Sequence, residues 1–237
     1  MLLFLKSQSP IPYIIFAVVI IVILVSSFYF NKKQRILRKL KKFNNRRITQ
    51  FRTNELTKVT GKTLHIHEPL IAPLSRRKCV AYHITVKKKR NSGKSSSWHT
   101  ILKLEQFQDF FIEQRGEVAL IKIQESPNKN YEAYMVKDHS VKSGFLNDPS
   151  SDFDSFLRRY QIDSTNMLGF NKTLEYSERI IEVGEEITVG GIAKWKEVND
   201  ELSGYAYTRI AALESSDQQK IIITDHPSAK QERNRLN

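Results

Sequence analysis

One cysteine, Cys79, is all that this 237-residue chain contains, and that scarcity removes several chemistries at once. An intrachain disulfide is impossible, and so is a zinc site built from several thiolates. Neither a G-x-S-x-G nucleophile elbow nor an H-E-x-x-H zinc helix occurs. Gly61-Lys62-Thr63 looks like the end of a phosphate-binding P-loop, but that motif needs glycine five residues before Gly61, and position 56 is Leu. No internal repeat is present. Two local absences are more informative: residues 11–30 hold no charged side chain, and residues 31–52 hold no Asp or Glu.

What fills those stretches is a membrane anchor beside a basic collar. Residues 11–30, IPYIIFAVVIIVILVSSFYF, rise about 30 Å as a helix, close to the hydrocarbon thickness of a bilayer. The segment after it carries ten Lys/Arg, among them Lys32, Lys33, Arg35, Arg38, Lys39, Lys41, Lys42, Arg46 and Arg47, against the lone Lys6 on the other side. Positive charge beside a span is retained in the cytoplasm, so the expectation is a single pass with the N-terminus outside and the large C-terminal part cytoplasmic. A cleaved secretory signal fits less well. The apolar run is too long for an h-region, no small-x-small site precedes the basic block, and a dense positive segment opposes translocation.

The net charge of +13 suggests a nucleic-acid binder until it is located. Without the collar and Lys6, positions 53–237 carry 27 basic against 25 acidic residues, so no nucleic-acid partner is expected. Within the collar, Ile36, Leu40 and Phe43 follow helical spacing with Leu37 beside them. Such a basic amphipathic helix can lie on anionic lipid headgroups, each cation contributing about 1 kcal/mol, or it can simply fix topology. Both readings stay open.

Four regions are expected: 1–30 with the span, the collar 31–52, one β-rich domain over 53–225 and a flexible tail 226–237. Within the domain the dominant period is two. Cys79–Val86 alternates Val80, Tyr82, Ile84 and Val86 against Cys79, Ala81, His83 and Thr85. Further strands are predicted at Trp98–Leu104, in a hairpin Asp109–Ile123 turning at Gln114-Arg115-Gly116, and at Tyr131–Val136, Leu174–Ile181, Glu186–Val189, Ile192–Val198, Tyr205–Ile210 and Ile221–Thr224. Gly190-Gly191 predicts a tight hairpin turn between two of them. Phe153, Phe156, Leu157 and Tyr160 share a helical face over 150–161, while Lys87–Ser97, Ser126–Asn130 and Asp225–Asn237 read as loop or tail. The fold class is mainly β, barrel-like or sandwich-like, with one inserted helix.

Gly61, Pro69-Leu70-Ile71-Ala72-Pro73-Leu74-Ser75, Cys79-Val80-Ala81-Tyr82 and Trp98 resemble the opening of the GIDE or "beside a membrane" (BAM) domain, whose pattern is G…PL.SPLS…C..Y followed by Trp. Phe110–Gly116 is similar to that family's F-x-x-[DE]-x-x-G hairpin, and Glu178–Gly190, through Gly184 and Gly190, to its closing segment. The resemblance implies a binding role for the motif residues Pro69, Leu70, Pro73, Leu74, Ser75, Cys79, Tyr82, Trp98, Gly116, Gly184 and Gly190. Eukaryotic relatives are RING-type ubiquitin ligases of organelle membranes. A RING holds two zinc ions with some eight Cys/His ligands, which one cysteine cannot support, so ligase activity is not expected. The resemblance points instead to RING-less prokaryotic members, and hence to a bacterial inner membrane.

The Pro69–Ser75 turn is stiff on physical grounds alone, since two prolines fix φ and remove two donors. It suits a presented binding loop or a plain corner of a barrel. His65, His67, Cys79 and His83 offer four potential metal ligands, with unfamiliar spacing. Glu185 and Glu186 would point to opposite faces if extended, and the sequon Asn171-Lys172-Thr173 is void in a cytoplasmic domain. No catalytic residue, metal or cofactor is expected. The reading is a membrane-anchored binding, scaffolding or sensing module with an unidentified protein partner. The alternatives are a metal-assisted hydrolase around His65, His67, Cys79 and His83, or an anionic-headgroup sensor using 32–52 and 87–94.

Overall fold

The computed structural model describes residues 11–93, 95–123, 129–144, 147–197 and 208–230. Its first helix, α1 (Ile11–Phe30), is long and apolar enough to cross a membrane, and every side chain from Tyr13 to Phe30 is exposed. Asn31 interrupts the helix with extended backbone, and its side chain caps the Lys33 amide at 3.0 Å to start α2 (Lys32–Leu40). The corner is clamped from the far end of α2. The Arg38 guanidinium stacks 3.8 Å over the Tyr29 ring and donates to the Tyr29 carbonyl at 2.8 Å.

The chain then folds into two sheets. Strands β1 (Asn44–Asn45), β2 (Leu56–His65), β6 (Phe110–Gln114), β7 (Glu117–Ile121), β8 (Tyr131–Tyr134), β11 (Glu186–Glu197), β12 (Arg209–Glu214) and β13 (Ile221–Thr224) make the first. The pairings β2–β6, β6–β7, β7–β12, β12–β11 and β11–β2 close five strands on themselves, with β13 and β8 added beside β11. Strands β3 (Leu70–Ile71), β4 (Lys78–Ser92), β5 (Ser95–Phe107), β9 (His139–Ser143) and β10 (Leu174–Glu182) make the second. Helix α3 (Ser151–Arg159) starts at Ser150, whose hydroxyl accepts from the Phe153 amide. It lays Phe153, Phe156 and Leu157 on Ile84, Val86, Leu174 and Tyr176. A short α4 (Pro227–Lys230) completes the described chain. The barrel-like, β-rich class with one inserted helix is thus the observed one.

Four expectations give way. The apolar side of α2 does not face outward: Ile36, Leu40 and Phe43 are buried on Ile222 of β13, Ala229 of α4 and Tyr134 of β8, while Ile48 and Phe51 enter the barrel core. The packed unit therefore begins at α2 rather than at residue 53. It also extends past 225, since Asp225 and Ala229 are buried; residues 231–237 lie outside the described part. Second, Gly190-Gly191 is no turn, because β11 runs straight through it. A Cβ on Gly190 would come within 3.0 Å of Leu40 and 3.1 Å of Phe43, and one on Gly191 within 3.1 Å of the Glu214 carbonyl. The pair is small because α2 and β12 pack onto it, and there the neighbour of β11 changes from β13 to β12.

Third, Lys87–Ser97 is not a loop. β4 and β5 extend as a two-stranded ribbon with its turn at Gly93, Lys94 lying outside the described residues. Fourth, Cys79 and Tyr82 share a face. Ala81 pairs Ile181 while Cys79 pairs Glu182, so Val80 is an extra residue, and this bulge flips the alternation. The hairpin at Arg115-Gly116 is as expected, with φ of 57° and 86° at the two turn positions. Residues 126–128, 198 and 205–207 of the expected segments lie outside the described residues.

Docking of α2 has a measurable signature. Ile36→Ala in the full chain in micelles should lose about 2–5 kcal/mol in denaturant melts, and Lys33→Gln less than about 0.5 kcal/mol. An unchanged Ile36→Ala midpoint would mean that α2 is not part of the folded unit.

Candidate functional site

The motif residues divide between a structural corner and scattered positions. Ala72 donates its amide to the Arg77 carbonyl, and Arg76, at φ 59°, returns its amide to Ala72, closing the Pro73–Ser75 turn. Beneath it lies Glu178, fully buried on β10. A buried carboxylate needs donors, and this one accepts from the amides of Leu74 (3.3 Å) and Ser75 (3.2 Å) and from the Tyr176 hydroxyl (2.7 Å). Burial, then the adjacent Glu178, push the Tyr176 phenol up, which keeps it a donor. Leu70, Cys79 and Tyr82 pack with Ala72 and Ile180, and the Cys79 thiol lies 3.6 Å from the Leu70 carbonyl.

The turn therefore spends its amides inward. Pro69, Leu70, Pro73, Leu74, Ser75, Cys79 and Tyr82 form one neighbourhood. Gly184, at φ 87°, donates to the Thr63 carbonyl where β10 turns into β11. Trp98, 42% exposed on the ribbon, Gly116 on its hairpin and Gly190 under α2 sit elsewhere. The imidazoles do not converge with the thiol. His65 Nδ1 meets the His67 carbonyl at 2.6 Å on the surface, Cys79 is fully buried, and His83 pairs with Glu105. No three His, Cys, Asp or Glu could hold a metal among the described residues.

The collar cations also divide. Lys39 binds Glu132 at 2.6 Å, with Arg35 at 3.8 Å from the same carboxylate; Arg46 binds Glu55 at 2.9 Å, and Arg38 holds Tyr29. Lys32, Lys41, Lys42 and Arg47 are exposed, and Lys33 is partly so.

Two features that the sequence did not announce complete the surface. The first is a cleft of about 340 Å³ between α2, the β8 edge and the open face of the second sheet, lined by Lys32, His83, Thr85, Glu105 and Arg179. His83 lies 3.3 Å from the Thr85 hydroxyl and 3.6 Å from Glu105, a line that resembles a nucleophile relay. Glu105 is shared, however, with Lys129 at 2.9 Å. The His83 and Lys129 contacts hold its carboxyl down at about 2. The second is the loop before β10. Asn166 accepts the amides of Leu168 and Phe170 on its side chain and bonds the Phe170 carbonyl, Gly169 takes φ 81°, and Lys172 closes the base on Ser164. This ordered loop holds out Met167, Leu168 and Phe170, of which Met167 is fully and Leu168 79% exposed. The only sequence signal was an apolar cluster inside an Asn…Gly turn.

No family model, curated protein or solved structure matches the chain.

Two expectations follow from the site. Burial, with Glu178 and Glu182 nearby, pushes the Cys79 thiol up to about 12. Maleimide at pH 8 should therefore leave the native protein unlabelled and label it in denaturant. Burial also raises Glu185 from 4.5 to about 7 and Asp225 from 3.8 to about 6. Both keep their protons longer in the folded than in the unfolded protein, so their contribution is full below about pH 4 and is lost as pH rises to 7. Glu185→Gln should flatten the decline in melting temperature between pH 5 and 8, and an unaltered slope would remove Glu185 as its source.

Proposed function

We propose that the protein is a single-pass membrane protein whose β-rich domain lies on the cytoplasmic side and binds a protein partner without chemistry of its own. The observation that carries this reading is the Met167–Phe170 loop. Three apolar side chains held in water by hydrogen bonds around Asn166 and Lys172 are poorly solvated and pre-organised, which is what a docking element requires. The exposed apolar helix α1 and the cation excess after it support anchoring and the orientation. Likeness to the GIDE domain supports the same role, with a bacterial inner membrane as the setting. Because the Leu74 and Ser75 amides of the turn already bond Glu178, this reading puts the contact at the loop rather than at the motif.

The test uses the full chain in its own membranes. A reporter active only in the cytoplasm, fused after Asn237, should be active. A photo-crosslinking residue in place of Leu168 should yield a discrete protein adduct, while one in place of Asp217, on an exposed turn, should not. A silent reporter overturns the orientation; crosslinks only to lipid overturn the protein partner.

A further inference from the structure

The open face of the second sheet is organised in rows. Arg179 of β10, His83 of β4 and Glu105 of β5 are register partners across three strands, and Ser177, Thr85 and Lys103 form the next row on the same face. Lys32 closes this face from above, and Ala133 and Met135 supply a short apolar rim. The charges do not cancel. Glu105 is answered by His83 and Lys129, whereas the side chains of Lys32 and Arg179 make no hydrogen bond or ion pair among the described residues. Partial desolvation lowers the Lys32 pKa, Glu105 opposes this at a distance, and Lys103, Arg35 and Arg179 add repulsion. Two uncompensated cations, one a planar fork and one a point charge, beside the Thr85 hydroxyl, are a donor set that suits a tetrahedral dianion.

We propose that this cleft is a phosphate site, in which Arg179 and Lys32 clasp a phosphomonoester and Thr85 adds a hydrogen bond. The ester is either the headgroup of an anionic lipid or a soluble phosphate. Lys32 stands two residues beyond Phe30, the last residue of α1, so a spanning α1 places the cleft at headgroup height. The proposal rests on the reading above for that height alone. Binding of free phosphate does not depend on it.

Full-length protein in neutral phosphatidylcholine nanodiscs, at constant ionic strength, is titrated with inorganic phosphate and followed by thermal unfolding. A saturable rise in melting temperature is expected. Arg179→Gln and Lys32→Gln should each weaken the apparent affinity on the order of tenfold. Lys142→Gln, whose partner Glu175 lies outside the cleft lining, should behave as wild type. In discs containing phosphatidic acid, loss of the response to added phosphate identifies a lipid headgroup as the occupant, and an undiminished response identifies a soluble phosphate. Either result supports the site. No saturable effect in neutral discs, or equal affinity in wild type and in whichever of the two cleft variants fold, overturns it. Neither null touches the reporter or the crosslink, so the two readings fail separately.

Discussion

Burial of one edge of a nine-residue helix organises the rest of this molecule. Isolated, α2 is too short and too charged to be stable in water. Its Ile36 and Leu40, with Phe43, become side chains of the domain by packing on Ile222, Ala229 and Tyr134 and against the bare backbone of Gly190. That one contact attaches the apolar helix to the barrel without a linker. It turns part of a basic collar into fixed ion pairs with Glu132, and it brings Lys32 over the polar face of the second sheet.

Barrel closure imposes the complementary constraint. Gly61 lies where β2 and β6 cross so closely that a Cβ would run into the Glu113 carbonyl, and Thr60 and Thr188 exchange a hydroxyl hydrogen bond at 2.9 Å between β2 and β11. Close packing rather than turn geometry explains the glycines of β2 and β11: a neighbouring carbonyl meets Gly61 and Gly191, and the Leu40 and Phe43 side chains meet Gly190. The same closeness leaves Thr57, Lys58 and Thr63 buried or nearly so in a strand with little apolar character.

Legibility of the fold followed how locally each element is determined. The long apolar helix α1, α3 and the Arg115-Gly116 hairpin were readable because run length, 3.6-residue spacing and turn chemistry are properties of adjacent residues. β2 was invisible because LTKVTGKTLH lacks alternation and is a strand only by virtue of partners on both sides. Gly190-Gly191 and Lys87–Ser97 likewise lack a periodic pattern in sequence. In each, backbone pairing or packing decides where the side chains give no periodic signal: Leu40 of α2 packs on Gly190, and 87–92 pairs with β5 across the Gly93 turn although its side chains need no core. The Pro69–Ser75 corner could be seen as stiff, but not that Glu178, a hundred residues on, takes its amides. The cleft was unreadable because its walls come from α2, β4, β5, β8 and β10, and the family resemblance directed attention to the other side of β4.

The clamp between Arg38 and Tyr29 has a mechanical consequence. A helix of fixed length accommodates a thinner or thicker bilayer by changing its tilt, at a cost of only fractions of a kcal/mol per ångström of mismatch. Here Asn31 is the only residue between the two helices, and Arg38 holds the corner through both a stacked ring and a carbonyl. If α1 spans a bilayer as proposed, the domain is a lever arm on it, and a change of membrane thickness that tilts α1 tilts the domain with it.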